Sequence, residues 1–138
     1  MPGIEHNKQI VDKFYECLGS YDVAGLKEIV TEDLIMNVHN SGSVGGEITI
    51  EALPMLIQAL QTVCPGGIRF ELLDVTAEDN RLSVRANGYA KTVDGGEYNN
   101  RYHFLFKFRD GKIFETHEYM DSLLVENVLG PTLNELLN

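Results

Sequence analysis

Basic residues are scarce in this chain. Eleven Lys and Arg stand against 21 Asp and Glu, a formal net charge of -10 over 138 residues. A nucleic-acid surface needs clustered Lys and Arg against phosphate, and no such patch is present, so nucleic acid is excluded as a partner. The acidity reads instead as a solvated surface. Cysteine is nearly absent: Cys17 and Cys64 are the only two. With no CxxC and no His/Cys cluster at zinc spacing, they read as small buried hydrophobes of a reducing compartment, and no metal is expected. No phosphate-cradling glycine loop occurs, so no nucleotide cofactor is expected either. No apolar run approaches membrane-spanning length and no leader-like segment opens the chain, so the expectation is a cytoplasmic protein that meets no membrane. Repeats, linkers and low-complexity runs are also missing. With 43% hydrophobic residues, 1–138 reads as one globular domain with room for a real core.

What is present is concentrated in Tyr98 to Asp121, YNNRYHFLFKFRDGKIFETHEYMD. It reads as two strands joined at Asp110-Gly111, a two-residue turn whose central positions favour φ > 0. That turn sets Phe108 opposite Ile113, Phe106 opposite Glu115, Phe104 opposite His117, Tyr102 opposite Tyr119 and Asn100 opposite Asp121. All share one face, apolar near the turn and polar at the far end, as in a greasy pocket with a few placed polar groups. The other face carries Asn99, Arg101, His103 and Lys107 with Thr116 and Glu118. The preceding strand, Arg81 to Val93, meets it through a three-residue loop at Asp94-Gly95-Gly96, with Leu82, Val84, Ala86, Gly88 and Ala90 across from Phe108, Phe106, Phe104, Tyr102 and Asn100. Small residues opposite large rings either let the rings pack down or leave a hollow.

Upstream, Ile10, Val11, Phe14, Tyr15 and Leu18 recur at helical spacing from about Glu5 to Leu18, with Gly19 as a stop. Asp22 caps a second short helix. Leu34 to His39 alternates as a strand, and Asn40 to Gly46 is a Gly- and Ser-rich loop. Thr49 caps a third helix to about Val63, with Leu53, Leu56, Ile57, Leu60 and Cys64 on its apolar stripe and Met55 and Ala59 widening it. Pro65-Gly66-Gly67 ends it, and Ile68 to Ala77 is a strand. Beyond Asp121 lies a helical tail to Leu129, broken by Gly130-Pro131, before a last turn at Thr132 to Glu135. Helices ahead of a four-stranded meander imply an α+β fold with the helices on one face of a curved sheet.

On FYECL…YDVAGLKEIVTEDL, the Gly-Glu-Ile-Thr-Ile-Glu-Ala approach to the third helix, and above all YNNRYHFLFKFRDGKI…HEYMDSLLVENVLG, the chain resembles the NTF2-like superfamily, within it the SnoaL-like polyketide-cyclase and ketosteroid-isomerase-like group. The resemblance spans nearly the whole chain. It implies a cone-shaped NTF2-like fold with an internal pocket, no cofactor, and a homodimer through the outer sheet face. It also implies an Asp that moves a proton at carbon next to a carbonyl. The phenazine-biosynthesis branch looks similar too; it implies an acid at the Glu118 position and has Asn in place of Asp121. No Asp-Arg-Asp set of the epoxide-hydrolase kind is present, since Arg85 and Arg101 fall on the outer face.

Asp121 is the first catalytic candidate, because a carboxylate in an apolar pocket has its pKa raised into a useful range. Its competing role is an N-cap for the helix that follows. Glu118 is second: the register sends it outward, and a β-bulge between Ile113 and Asp121 would turn it inward. His39 and His117 are candidate acids or bases, and Tyr102 and Tyr119 candidate donors to a carbonyl oxygen. Asn100 is a candidate ligand contact, and Phe14, Tyr15, Leu56, Leu60 and Phe106 candidate lining. The expected activity is a cofactor-free isomerase or cyclase, or a lyase, acting on a small, mainly apolar or aromatic carbonyl compound. The alternative is a non-catalytic ligand-binding or dimerisation module of the same fold. The dimer contact would include Tyr89, Arg101 and Leu105.

Overall fold

The structure, a computed structural model, describes residues 3–137, the side chain at 137 excepted. Its first helix, α1 (Ile4–Ser20), buries Val11, Phe14, Tyr15 and Leu18 along one stripe, the spacing that made it legible. Gly19 does not stop it. The helix runs on to Ser20, and Tyr21 in the left-handed region (φ 62) closes it. Gly19 is needed for close approach: the Ile68 N–H donates to its carbonyl at 2.9 Å. A Cβ there would lie 2.2 Å from the Ile68 oxygen. Asp22 caps α2 (Val23–Ile29), accepting the Gly25 N–H at 2.9 Å.

The chain then enters β1 (Val30–Val38) and turns back in β2 (Gly46–Thr49). Sequence reading missed β2 because its four residues have little apolar content and follow a glycine-rich loop. In consequence α3 (Leu53–Val63) starts at the Ala52 cap. Thr49 Oγ1 accepts the Ala52 N–H at 3.3 Å, so Thr49 closes the turn before the helix instead of capping it. Leu53, Ile57, Ala59, Leu60 and Val63 are buried, whereas Met55 points out at 40% exposure. The meander follows as β3 (Arg69–Glu78), β4 (Arg81–Tyr89), β5 (Asn100–Arg109) and β6 (Lys112–Met120). The tail forms α4 (Ser122–Val128) and α5 (Gly130–Leu137).

The strands make one mixed sheet, ordered β2-β1-β6-β5-β4-β3, with β1 parallel to β6 and every other pair antiparallel. Its inner face packs on α1 through an aromatic cluster. Phe104 and Phe106 stack at 5.4 Å, and Phe14 meets Phe106 edge-on at 5.0 Å. Burying rings of this size contributes about 2–3 kcal/mol each, before the geometric preference of the pairs. No helix among the described residues is long and apolar enough to cross a membrane.

Two registers differ from expectation. The β4–β5 loop is Val93-Asp94-Gly95, closed by the Thr92 N–H on the Gly96 carbonyl at 3.0 Å, with Gly95 at φ 89. Moving the loop by one residue moves the pairing by two. Leu82 now faces Phe106, Val84 faces Phe104, Ala86 faces Tyr102 and Gly88 faces Asn100. Parity survives, and the small residues let a ring pack down: a Cβ on Gly88 would lie 2.9 Å from the Tyr102 ring.

The β5–β6 change is larger. Arg109/Lys112 and Phe108/Ile113 pair as the turn dictates, but the next pair is Lys107/Glu115, leaving Phe114 as one extra residue. Beyond it Phe106 faces Thr116, Phe104 faces Glu118 and Tyr102 faces Met120, in place of Glu115, His117 and Tyr119. Thr116 and Glu118 are therefore inside, and His117 and Tyr119 outside. Phe114 lies beneath the Arg109 guanidinium, 4.9 Å from its ring centre.

Gly19→Ala is expected to cost about 2 kcal/mol or more, because backbone lies where the methyl would go and no rotamer relieves it. Urea unfolding of the two proteins measures this; an unchanged midpoint contradicts the close approach.

Candidate active site

Glu118 sits near the end of β6 on the inner face, between Thr116 and Met120 and across from Phe104. Only 8% of it is exposed. It lines a cavity of about 60 Å³, walled by Met36 and Val38 of β1, Leu56 and Leu60 of α3, and Val125 and Leu129 toward the tail. That volume holds about two water molecules.

Around the carboxyl group stand three phenols. Tyr98, Tyr102 and Tyr15 are all pushed above the ordinary phenol range, first by burial and further by the Glu118 charge. The Tyr102 hydroxyl donates to Tyr98 Oη at 3.4 Å, and Asn100 Nδ2 donates to the same oxygen at 3.2 Å. The Tyr15 hydroxyl and Thr116 Oγ1 are buried without a hydrogen-bond partner. Unsatisfied buried polar atoms are costly and few in folded proteins; of these two, Tyr15 comes close enough to feel the Glu118 charge, and Thr116 shares the inner face of β6 two residues before it. Burial pushes Glu118 up to about 8, and among the described residues no hydrogen bond or cation opposes the shift. At neutral pH the group is mostly the uncharged acid. A site of this kind can hold a proton, release it to a nearby atom, and offer phenolic hydrogen bonds to a developing oxyanion.

The candidate residues of the sequence divide by face. Glu118, Tyr102, Leu56 and Leu60 line the cavity, and Tyr15 comes close enough to feel the Glu118 charge. Phe14 and Phe106 are core residues behind the lining. Asn100 is 2% exposed and pins the end of β6. Its Oδ1 accepts the Asp121 N–H at 3.1 Å and its Nδ2 reaches the Asp121 carbonyl at 3.3 Å. Asp121 itself is exposed and caps α4, its Oδ1 accepting the Leu124 N–H at 3.3 Å, so it stands outside the cavity lining.

His39, His117 and Tyr119 lie together on the outer face. His39 Nε2 meets His117 Nδ1 at 2.8 Å, His117 Nε2 meets Glu115 Oε2 at 2.6 Å, and the His39 ring stacks on Tyr119 at 4.6 Å. The bulge at Phe114 is the reason that His117 and Tyr119 are not inside. Sequence reasoning missed Tyr98, only 2% exposed. The alternation Tyr98, Asn100, Tyr102, Phe104 carried its signal.

A family model for the SnoaL-like domain matches residues 11–116. Among solved structures, the chain is similar to an NTF2-like protein of unknown function from Burkholderia pseudomallei: TM-score 0.78, 16% identity, 90% of this chain and 97% of that one. It is also similar to a proposed SnoaL-like polyketide cyclase from a Jannaschia species: TM-score 0.74, 20% identity, 94% of each chain. A third is TerC, co-crystallised with polyporic acid: TM-score 0.76, 16% identity, 91% of this chain and 98% of that one. At these identities the likeness is one of fold. No curated protein matches.

The folded-state value of Glu118, about 8, lies above its ordinary 4.5. Between those values the unfolded chain releases a proton that the folded chain keeps. The contribution of Glu118 to stability is therefore full below about pH 4.5 and declines as pH rises toward 8. Glu118→Gln, which has no proton to lose, is expected to be more stable than wild type by roughly 3 kcal/mol at pH 7, with the difference vanishing near pH 4.5. Thermal melts across that range measure it; a pH-independent difference contradicts the burial of a neutral acid.

Proposed function

The chain belongs to the SnoaL-like family, of the NTF2-like superfamily, and from that premise we propose that it is a cofactor-free isomerase or cyclase that moves a proton on a small, mainly apolar carbonyl compound. The observation that carries the proposal is Glu118: a buried carboxyl group that lines an apolar cavity together with the phenols Tyr98 and Tyr102. Asp121, which caps a helix at the surface, has no comparable setting.

The substrate lies with its α-carbon against Glu118 and its carbonyl oxygen toward the hydroxyls of Tyr15 and Tyr98; the Tyr98 proton is free because its oxygen accepts from Tyr102 and Asn100. The ionised carboxylate takes the α-proton; the C–H pair moves into the new C=C bond and the carbonyl pair onto oxygen. The phenols donate to that enolate oxygen. The protonated Glu118 then returns the proton to another carbon, which is isomerisation. In cyclisation the enolate carbon instead attacks a second carbonyl, and the proton goes to the new alkoxide. Burial makes Glu118 a stronger base than an exposed glutamate, with about a tenth ionised at pH 7.

A bicyclic ketone, 2-tetralone, in D2O reports the first half of this reaction by NMR. Exchange of its α-protons is expected to rise with pH and level off above about 8. It is expected to fall by about a hundredfold or more in Glu118→Gln. Equal catalysed rates in both proteins contradict the proposal. The second reading is a binding module without turnover, favoured by the small size of the cavity. Binding without exchange supports it, and polyporic acid, the ligand crystallised with TerC, is the first to try. Alongside either reading we propose a homodimer through the outer sheet face around Tyr89, Arg101 and Leu105. A strictly monomeric species in light scattering at micromolar concentration contradicts the dimer.

A further inference from the structure

The cavity at Glu118 is too small for the ligand class just proposed. Sites for cyclic organic molecules enclose at least about 300 Å³, against about 60 Å³ here. A second hollow of about 190 Å³ lies next to it, open to solvent, between the start of β2, the first turn of α3 and Leu133 of α5. Val44, Ile48 and Leu56 line both hollows. They form the partition between them, and of the three only Val44 belongs to a loop.

That loop, residues 40–45, is a compact turn that ends at the first residue of β2. Glycines occupy 42, 45 and 46, and Gly46 holds φ 115. The chain folds tightly on itself, with the Gly45 N–H on the Gly42 carbonyl at 3.2 Å and the Gly42 N–H on Asn40 Oδ1 at 2.8 Å. It is fastened from outside by one carboxylate. Glu126 of α4 accepts the Ser43 hydroxyl at 2.8 Å and the Val44 N–H at 3.1 Å. These hydrogen bonds hold Glu126 below the usual carboxylate range, so it stays ionised in this contact. A Cβ on Gly42 would lie 2.0 Å from the same carboxylate, so a side chain there would push the Glu126 carboxylate out of this contact. The neighbouring α4 residue, Val125, lines the cavity, so the fastening holds the loop against the cavity wall.

We infer that residues 40–45 are a lid on the ligand cavity, hinged at Gly46, with Val44 as its plug and Glu126 as its latch, and that a bulky apolar ligand reaches Glu118 through the outer hollow when the latch lets go. Opening merges the two hollows, and withdrawing the Val44 side chain from between them supplies the further space that a bicyclic ligand needs; closing shields the carboxyl group from water again. The inference rests on the reading of the Glu118 cavity as a ligand site.

The test compares wild type, Glu126→Ala and Ser43→Ala. Association of 2-naphthol is followed by stopped-flow fluorescence, and protection of the Val44 amide by hydrogen exchange. Since the association rate scales with the open fraction, Glu126→Ala is expected to speed it by about threefold or more. Ser43→Ala removes one of the two bonds and should fall in between. Protection of the Val44 amide should drop in the same order. Equal association rates in all three proteins overturn the lid and leave the ligand-site reading standing. Failure of 2-naphthol to bind any of the three overturns the ligand-site reading, and the lid with it. If Glu126→Ala does not fold, the comparison of Ser43→Ala with wild type decides by the same rates.

Discussion

One extra residue governs the chemistry of this fold. The Asp110-Gly111 turn fixes the start of the β5–β6 hairpin, and strict alternation from there would put Glu118 in solvent. Phe114, unpaired between Phe108/Ile113 and Lys107/Glu115, reverses the parity of everything beyond it. The partner strand follows: β1 pairs Val30 with Ile113 and then Ile35 with Glu115, with its own irregularity at the same level. Thr116, Glu118 and Met120 turn inward while His117 and Tyr119 turn out. The interior acid and the exterior histidine pair are thus two consequences of a single insertion.

What the insertion produces is a carboxyl group that destabilises the fold at neutral pH. Among the described residues no cation or hydrogen-bond donor offsets its burial, and the hydroxyls of Thr116 on the same strand face and of Tyr15 on α1 also go without partners. A fold selected for stability alone would place a Leu or Met there, next to the Leu56, Leu60 and Phe104 that already line the space. Local conflicts of this kind, with no gain in packing to offset them, concentrate at functional sites. Strand geometry keeps the group fixed: the Glu118 carbonyl accepts the His39 N–H at 3.0 Å, locking β6 to β1 beneath the carboxyl. The chemistry is therefore held on a rigid sheet, while the closing parts are a glycine-rich loop and a short helix.

Much of the fold was legible because it is written in periodicity. The stripes of α1 and α3, the Asp22 cap and the Asp110-Gly111 turn each follow from local rules and hold in the structure. The site was less legible, for a physical reason. After Ile113 neither phase of Phe-Glu-Thr-His-Glu-Tyr-Met is clearly apolar, so alternation does not reveal where parity changes. The choice is made by contacts with β1 and α1, which are distant in sequence. β2 was lost for a similar reason, since four mostly exposed residues earn their strand only by pairing with β1. Asn100 was legible as a buried polar residue but not in its task, which is to hold the end of β6 rather than to face the cavity.

The proposed chemistry depends on the protonation state of one side chain, and that is directly measurable. Glutamate labelled with carbon-13 at the carboxyl position gives one resonance per Glu, and the Glu118→Gln variant identifies the signal of interest. Titrated by NMR from pH 4 to pH 10, that signal is expected to change near pH 8, well after the other glutamates. A midpoint near 4.5 would mean that Glu118 is solvated or paired at neutral pH, and the buried neutral acid on which the proposed chemistry depends would not exist.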